Sequence, residues 1–305
     1  MNRIRIGIIG AGLNTREKHI PKLQSLPEAE VAAVCNRSRA SGERVAREFS
    51  IQKVCDHWSE VIRDDSLDAI VIGTWPDMHH LLTCAALDAG KHVLCEARMA
   101  MNASEAHEMK AVSDQHPELV AQIVPAPFSL AFDRTIQDLI RDNYLGQLTA
   151  VSVRHNITSF LDETAPLTWR QDIDRSGFNT LFLGIYYETI ARWMDHALSV
   201  VAMSKTFIKQ RYDETLARKK EVRVPEHIDV IAHMACGAQA SFQFSAVTGL
   251  LSNPAEIWIF GSQGTLYLDI IQQKLYGGQR RDAALQEIVV TDEKKIRLAG
   301  RTRIH

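Results

Sequence analysis

Over its first 124 residues the chain alternates short β-branched apolar runs with longer amphipathic segments. Such alternation leaves few solutions other than a parallel sheet covered by helices. The apolar runs predict strands over Ile4 to Ile9, Val31 to Cys35, Ala69 to Gly73, His92 to Cys95 and Leu119 to Val124. Between them the 3.6-residue period predicts helices near Arg16 to Ser25, Ala40 to Phe49, His79 to Ala89 and Ser104 to Gln115. Acid in the first turn at Ser104, and Gly90 just past Ala89, agree with those limits.

After Pro125 and Pro127 the texture changes. A helix from Ala131 to Asn143 leads into strand-like runs at Leu148 to Ile157, Ile228 to Ala235, Ala238 to Phe244, Glu256 to Phe260 and Thr265 to Asp269. Connections such as Cys236-Gly237 have hairpin length, so this half predicts a mainly antiparallel sheet, interrupted by a helix over Thr180 to His196. The charged stretch Gln210 to Glu226 reads as a solvated loop or edge hairpin, and the tail from Lys294 as a solvated extension. The expected fold is therefore α/β. Residues 1–124 are expected to form the parallel-sheet domain, and residues 125–305 an α+β domain with a mainly antiparallel open sheet.

Composition narrows the partners. With 35 Lys plus Arg against 37 Asp plus Glu, the chain has no broad basic field for nucleic acid or anionic lipid. No run approaches the roughly 18 to 20 apolar residues of a membrane-spanning helix. The five cysteines form no C-x-x-C pair and leave one over, which suits a reducing, cytoplasmic setting. No Cys or His pair has the spacing of a metal site, so no metal is expected.

The strongest chemical signal is Gly10-Ala11-Gly12-Leu13-Asn14-Thr15, placed straight after the first strand and before the first helix. In that context Gly10 allows the tight turn, Gly12 lets a pyrophosphate approach the backbone, and the helix offers free N–H groups and its positive dipole end. Thr15 stands where a third glycine would complete the fingerprint. The second strand ends in Cys35-Asn36-Arg37-Ser38, without the acid that would hold a ribose 2′-hydroxyl. Asn36, Arg37 and Ser38 thus point to NADP in preference to NAD.

These residues resemble the Gfo/Idh/MocA family, the glucose-fructose oxidoreductase and inositol dehydrogenase group. The matching segments are Thr74-Trp75-Pro76-Asp77-Met78-His79, Gly90-Lys91-His92-Val93-Leu94-Cys95-Glu96, Trp169-Arg170, Leu183-Gly184-Ile185 and Ile259-Phe260-Gly261-Ser262-Gln263-Gly264-Thr265-Leu266. The resemblance implies an NAD(P)-dependent oxidoreductase moving hydride to or from a secondary alcohol or carbonyl of a sugar, polyol or cyclic hydroxy compound. It implies that residues 1–124 are a Rossmann dinucleotide-binding domain and residues 125–305 a substrate-binding and oligomerisation domain whose open sheet joins a homodimer or homotetramer. It places Gly10, Gly12, Leu13 and Asn14 on the pyrophosphate, Thr74, Trp75, Pro76 and His79 beside the adenosine and nicotinamide ribose, and Glu96 with Ala97 near the nicotinamide. The family usually adds helices after the sheet that pack back on the Rossmann half, and the resemblance implies that this closure is missing here.

The departures fall on the chemistry. Where the family has lysine and proline after glutamate, this chain has Ala97 and Arg98; where it has aspartate and then histidine four residues on, this chain has Phe182 and Tyr186. Tyr186 is then the candidate acid or base, with Arg98 as the cation that would lower its pKa. Trp169, Arg170, Asn179 and His155 are candidate substrate contacts, and Asp172 and Glu188 further titratable groups. Two other functions stay open: a degenerate nucleotide- or sugar-binding regulator, and a lyase, isomerase or hydrolase that retains its cofactor.

Overall fold

The structure, a computed structural model, describes residues 3–178 and 181–290. They form two compact units: one runs through Val124 and takes in the segment from Asp172 to Phe178, and the other holds the remainder.

In the first unit six strands make a parallel sheet: β1 (Ile4–Ile9), β2 (Ala29–Cys35), β3 (Lys53–Cys55), β4 (Ala69–Ile72), β5 (His92–Cys95) and β6 (Ala121–Ile123). Their spatial order is β3-β2-β1-β4-β5-β6, so the order reverses between β1 and β4. That switch point is where open α/β sheets bind nucleotides. Ile8, Val34, Ile70 and Ile72 are fully buried between the covering helices, which is why these strands read as continuous apolar runs. β3 and the helix Trp58–Ile62 escape the sequence pattern because a three-residue strand shows no period.

Helix limits follow their caps. The helix Ala103–Gln115 starts at Asn102, whose side chain accepts from the Glu105 N–H, so the cap lies earlier than Ser104 suggests. The first helix is not uniform: a π-helical turn, Thr15–His19, precedes the α-helical Ile20–Gln24. Pro21 has no N–H for the Glu17 carbonyl, and the Ile20 N–H turns back to Thr15 O.

The second unit carries an eight-stranded sheet from β7 (Leu148–Asn156), β8 (Ala197–Lys205), β11 (His227–Met234), β12 (Gln239–Ser245), β13 (Ala255–Gly261), β14 (Gly264–Asp269), β15 (Lys274–Gln279) and β16 (Gln286–Glu287), in the order β16-β15-β14-β13-β7-β12-β11-β8. The pair β7 and β12 is parallel and the rest antiparallel, so the sheet is mixed. The helices Asp133–Arg141 and Leu183–Met194 contribute Ile136, Tyr186 and Ile190 to a core shared with Val151, Val153, Phe242, Phe244 and Ile257. β8 lies at the sheet edge with both faces open, so it lacks the buried alternation that marks its neighbour β11.

A small hairpin, β9 (Gln210–Asp213) with β10 (Arg218–Glu221), forms within the charged stretch. Two of that stretch's charges are not solvated. The Arg211 and Glu226 side chains are 1% and 0% exposed and 3.7 Å apart. Arg211 donates to the carbonyls of Phe160, Asp162 and Ala165, while Glu226 accepts from the N–H groups of Phe207 and Ile208. The pair thereby fastens the loop after β7 to the hairpin. Among the described residues no helix is long and apolar enough to cross a membrane.

Removing one partner of such a pair leaves an uncompensated buried charge. Arg211→Met should lower the unfolding free energy by about 3–5 kcal/mol in urea titrations, and adding Glu226→Gln should recover part of the loss. A single variant as stable as the parent would contradict this account.

Candidate active site

The glycine turn in the first unit has two different glycines. Gly10 has φ +87°, and a Cβ there would approach the Thr74 nitrogen to 2.6 Å, so packing demands glycine. At Gly12 a Cβ would meet nothing nearer than the Gly73 carbonyl oxygen at 3.9 Å. The chain's own packing therefore does not require glycine at this position; the open space suits a group that approaches the backbone. Leu13 is largely exposed beside it. Thr15, in place of the third glycine, is buried, donates to the Gly10 carbonyl at 3.2 Å and fills the space that Gly73 leaves by lacking a side chain.

At the end of β2, Asn36 is already engaged. Its Oδ1 accepts from the Ala11 N–H at 2.7 Å and its Nδ2 donates to Ser41 Oγ at 3.0 Å. Asn36 thus shapes the turn. Ser38 caps the helix Arg39–Phe49, and Arg39 is paired with Glu43 and Asp56. Arg37 forms no ion pair among the described residues and lies 5.5 Å from the Trp75 ring centroid. Arg175, which sequence reasoning missed, lies 5.2 Å from the same centroid and donates to Asp77 at 2.5 Å.

After β4, Pro76 opens the short helix Pro76–Met78, and the Thr74 hydroxyl donates to the Trp75 carbonyl. His79 is 1% exposed. Its Nδ1 lies 2.6 Å from the Arg98 carbonyl oxygen and its Nε2 3.1 Å from that of Thr74. Each ring nitrogen thus faces a backbone carbonyl, of which a neutral ring can donate to only one; burial lowers the imidazole pKa, and the two carbonyls work against that shift. His79 braces the two loops that carry these carbonyls.

Glu96, at the end of β5, has its carboxylate held by Asn14 Nδ2, by His19 Nε2 at 2.6 Å and by the Ala97 N–H at 3.2 Å. Burial alone would raise its pKa, but the bond and charge of His19 with the Asn14 and Ala97 bonds hold it below the ordinary value. Sequence reasoning missed His19. On an α-helix, positions five apart point about 140° away from each other; only the π-helical turn brings Asn14 and His19 to one carboxylate.

In the second unit Tyr186 is fully buried, packed on Phe128 and Phe244, with its hydroxyl 2.8 Å from His155 Nδ1. Burial pushes the phenol well above its ordinary pKa. This reverses the expected activation: the hydrogen-bond partner within the unit is an imidazole held neutral, burial having lowered the His155 pKa to about 4. Arg98 belongs to the first unit. The Arg170 guanidinium lies 4.3 Å from the Trp169 ring centroid. Glu188 is paired with Arg192, and Asp172 caps the turn Ile173–Ser176. Asn179 and the tail from Lys294 lie outside the described residues. Among the described residues no three His, Cys, Asp or Glu side chains group as metal ligands.

Two family models match the chain: the oxidoreductase family with NAD-binding Rossmann fold over residues 4–123, and the GFO/IDH/MocA C-terminal domain over residues 134–267. Trans-1,2-dihydrobenzene-1,2-diol dehydrogenase of Sus scrofa is 27% identical over 256 residues, covering 83% of this chain and 71% of that protein. 1,5-Anhydro-D-fructose reductase of Ensifer adhaerens is 31% identical over 153 residues, covering 50% of this chain and 45% of that protein. Among solved structures, levoglucosan dehydrogenase in complex with NADH and L-sorbose has a TM-score of 0.81 at 18% identity, covering 94% of this chain and 80% of that one. A 3-ketoreductase from Actinomadura kijaniata in complex with NADP and TDP-benzene has a TM-score of 0.74 at 18% identity, covering 96% and 87%. With the glycine turn at the β1/β4 switch point, these matches show that the chain belongs to the GFO/IDH/MocA family of oxidoreductases.

Proposed function

We propose that the protein is an NAD(P)-dependent dehydrogenase or reductase acting on a secondary alcohol or carbonyl of a sugar, polyol or cyclic hydroxy compound. The observation that carries this reading is the open backbone at Gly12, which no side chain of the protein fills. Gly10 and Gly12 with Leu13 and Asn14 would hold the pyrophosphate; Thr74, Trp75 and Pro76 would border the ribose and base; Glu96 and Ala97 would border the nicotinamide end. When bound, the cofactor supplies or accepts the hydride. The protein's own part is to bind, orient and polarise. Glu96, kept ionised, is a fixed acceptor for ribose hydroxyls, and Trp169 and Arg170 of the second unit are proposed substrate contacts.

NADP is the preferred form in this reading, supported by Arg37, which lacks a carboxylate partner among the described residues, and by the missing acid at the end of β2. The names of the relatives favour a cyclic substrate with adjacent hydroxyl or carbonyl groups. A homodimer or homotetramer fits the second sheet, where Val201 and Met203 on edge strand β8 are 76% and 79% exposed and Ile231 lies beside Val201. The five free thiols, with Cys236 exposed, suit the reducing cytoplasm.

Fluorescence titration should show NADPH binding more tightly than NADH, and Arg37→Glu should weaken NADPH about tenfold or more while sparing NADH. Equal affinities in the parent would remove the NADP preference. Cofactor reduction should appear with trans-cyclohexane-1,2-diol, levoglucosan or an inositol; binding without turnover on the whole panel would favour the regulatory reading. Val201→Lys with Met203→Lys should reduce the sedimenting mass to that of one chain, and an unchanged mass would exclude β8 from the interface.

A further inference from the structure

Phe182 and Tyr186, four residues apart, border and occupy the first turn of the helix Leu183–Met194, so they share one face. His155, from β7, reaches that face. Its ring lies 4.1 Å from that of Phe182 with the planes 5° apart, and its Nδ1 is 2.8 Å from the Tyr186 hydroxyl. The imidazole is thus held in two directions, by a stacked ring and by a hydrogen bond.

The hydrogen bond also fixes a proton. Tyr186 is fully buried and its hydroxyl has no other partner among the described residues. A buried O–H that fails to donate carries a desolvation cost of about 1–3 kcal/mol. The acceptor in reach is Nδ1, so Nδ1 carries the lone pair and Nε2 the proton. His155 Nε2 has no partner among the described residues, and the residue is only part-buried. An oriented N–H donor therefore opens outward, backed by buried aromatic rings.

We propose that His155, fixed as its Nε2–H tautomer by Tyr186, is the catalytic residue that donates a hydrogen bond to the reacting oxygen of the substrate, and that Tyr186 is a positioning residue acting through it. This assignment rests on the oxidoreductase reading above. A neutral donor polarises a carbonyl or alcohol oxygen without bringing a charge into an apolar site. The surroundings keep it neutral: His155 faces Tyr186 and Phe182 from the helix and pairs across the sheet with Phe244 and Ala255. The adjacent ion pair, Arg154 with Glu256, points to the other face of the sheet. The donor state accordingly persists through neutral and mildly acid pH, since the folded ring takes a proton only at a pKa of about 4.

Long-range proton–nitrogen correlation spectra of the full chain labelled with nitrogen-15 histidine test the assignment without turnover. His155 should show the Nε2-protonated neutral pattern at pH 7 and down to about pH 5, and Tyr186→Phe should shift it towards a mixture of tautomers. An Nδ1-protonated pattern in the parent, or an unchanged one in the variant, would overturn the proposal. With NADP and trans-cyclohexane-1,2-diol, His155→Phe should lower kcat by about 10²-fold, His155→Gln less because its amide keeps an N–H, and Tyr186→Phe less than His155→Phe. A larger loss in Tyr186→Phe than in His155→Phe would make the phenol the substrate contact and end the proposal. A parent with the stated tautomer that turns over no polyol would instead fail the oxidoreductase reading and leave the hydrogen-bond arrangement standing.

Discussion

The first unit depends on a place where two backbones run too close for side chains. β1 and β4 deliver their C-terminal ends side by side, with the Gly73 N–H donating to the Ile9 carbonyl and Gly10 turning at positive φ. A Cβ on Gly10 would collide with the Thr74 backbone, and one on Gly73 with Thr15 and the Gly10 carbonyl. The usual third glycine of such a turn serves close packing of helix on strand. Here that packing is achieved from the other side: Gly73 gives up its side chain and Thr15 occupies the space. An incomplete fingerprint is therefore a complete steric solution. Asn36 then ties the turn to the end of β2 through the Ala11 N–H, so the open Gly12 and the Arg37 loop are set by one network.

What the sequence reveals follows from what burial imposes. The strands at the centre of the first sheet are covered on both faces, so their apolar runs are legible almost to the residue, as at Ile4–Ile9 and His92–Cys95. β11 and β12, packed on one face, alternate and are equally legible. β3 is too short to carry a period, and β8 buries neither face. The segment 172–178 returns to the first unit through Arg175, Asp77 and Trp75, a contact between residues about a hundred apart that no local pattern encodes. Likewise, Arg211 and Glu226 look like solvated charges until the carbonyls and N–H groups around them are seen.

The candidate site was legible in its glycines and at Glu96, and much less so in its protons. Whether a histidine is a ligand contact or a brace depends on what both ring nitrogens meet, which the sequence does not state. His79 and His155 show the two outcomes. One, 1% exposed, has a backbone carbonyl against each ring nitrogen; the other, part-buried, meets Tyr186 at Nδ1 and has no partner at Nε2 among the described residues. Tyr186, the residue that stood out from the family pattern, is the more deeply buried of its pair, and burial drives its phenol away from the reactivity expected of it.

The same reasoning explains how Glu96 survives beside an alanine. A carboxylate partly withdrawn from water requires donors or a cation, and the neighbouring position, Ala97, supplies only its N–H. The missing interactions arrive from the first helix, through Asn14 and His19, and they arrive together only because the helix opens as a π turn. Pro21, which has no N–H to add to the ladder, stands where the π turn passes into the α-helix. The chain thus links a π turn in a covering helix to the ionisation of a carboxylate at the end of β5. Replacing the family's lysine by alanine leaves an ionised acid at this position, held by a different set of partners.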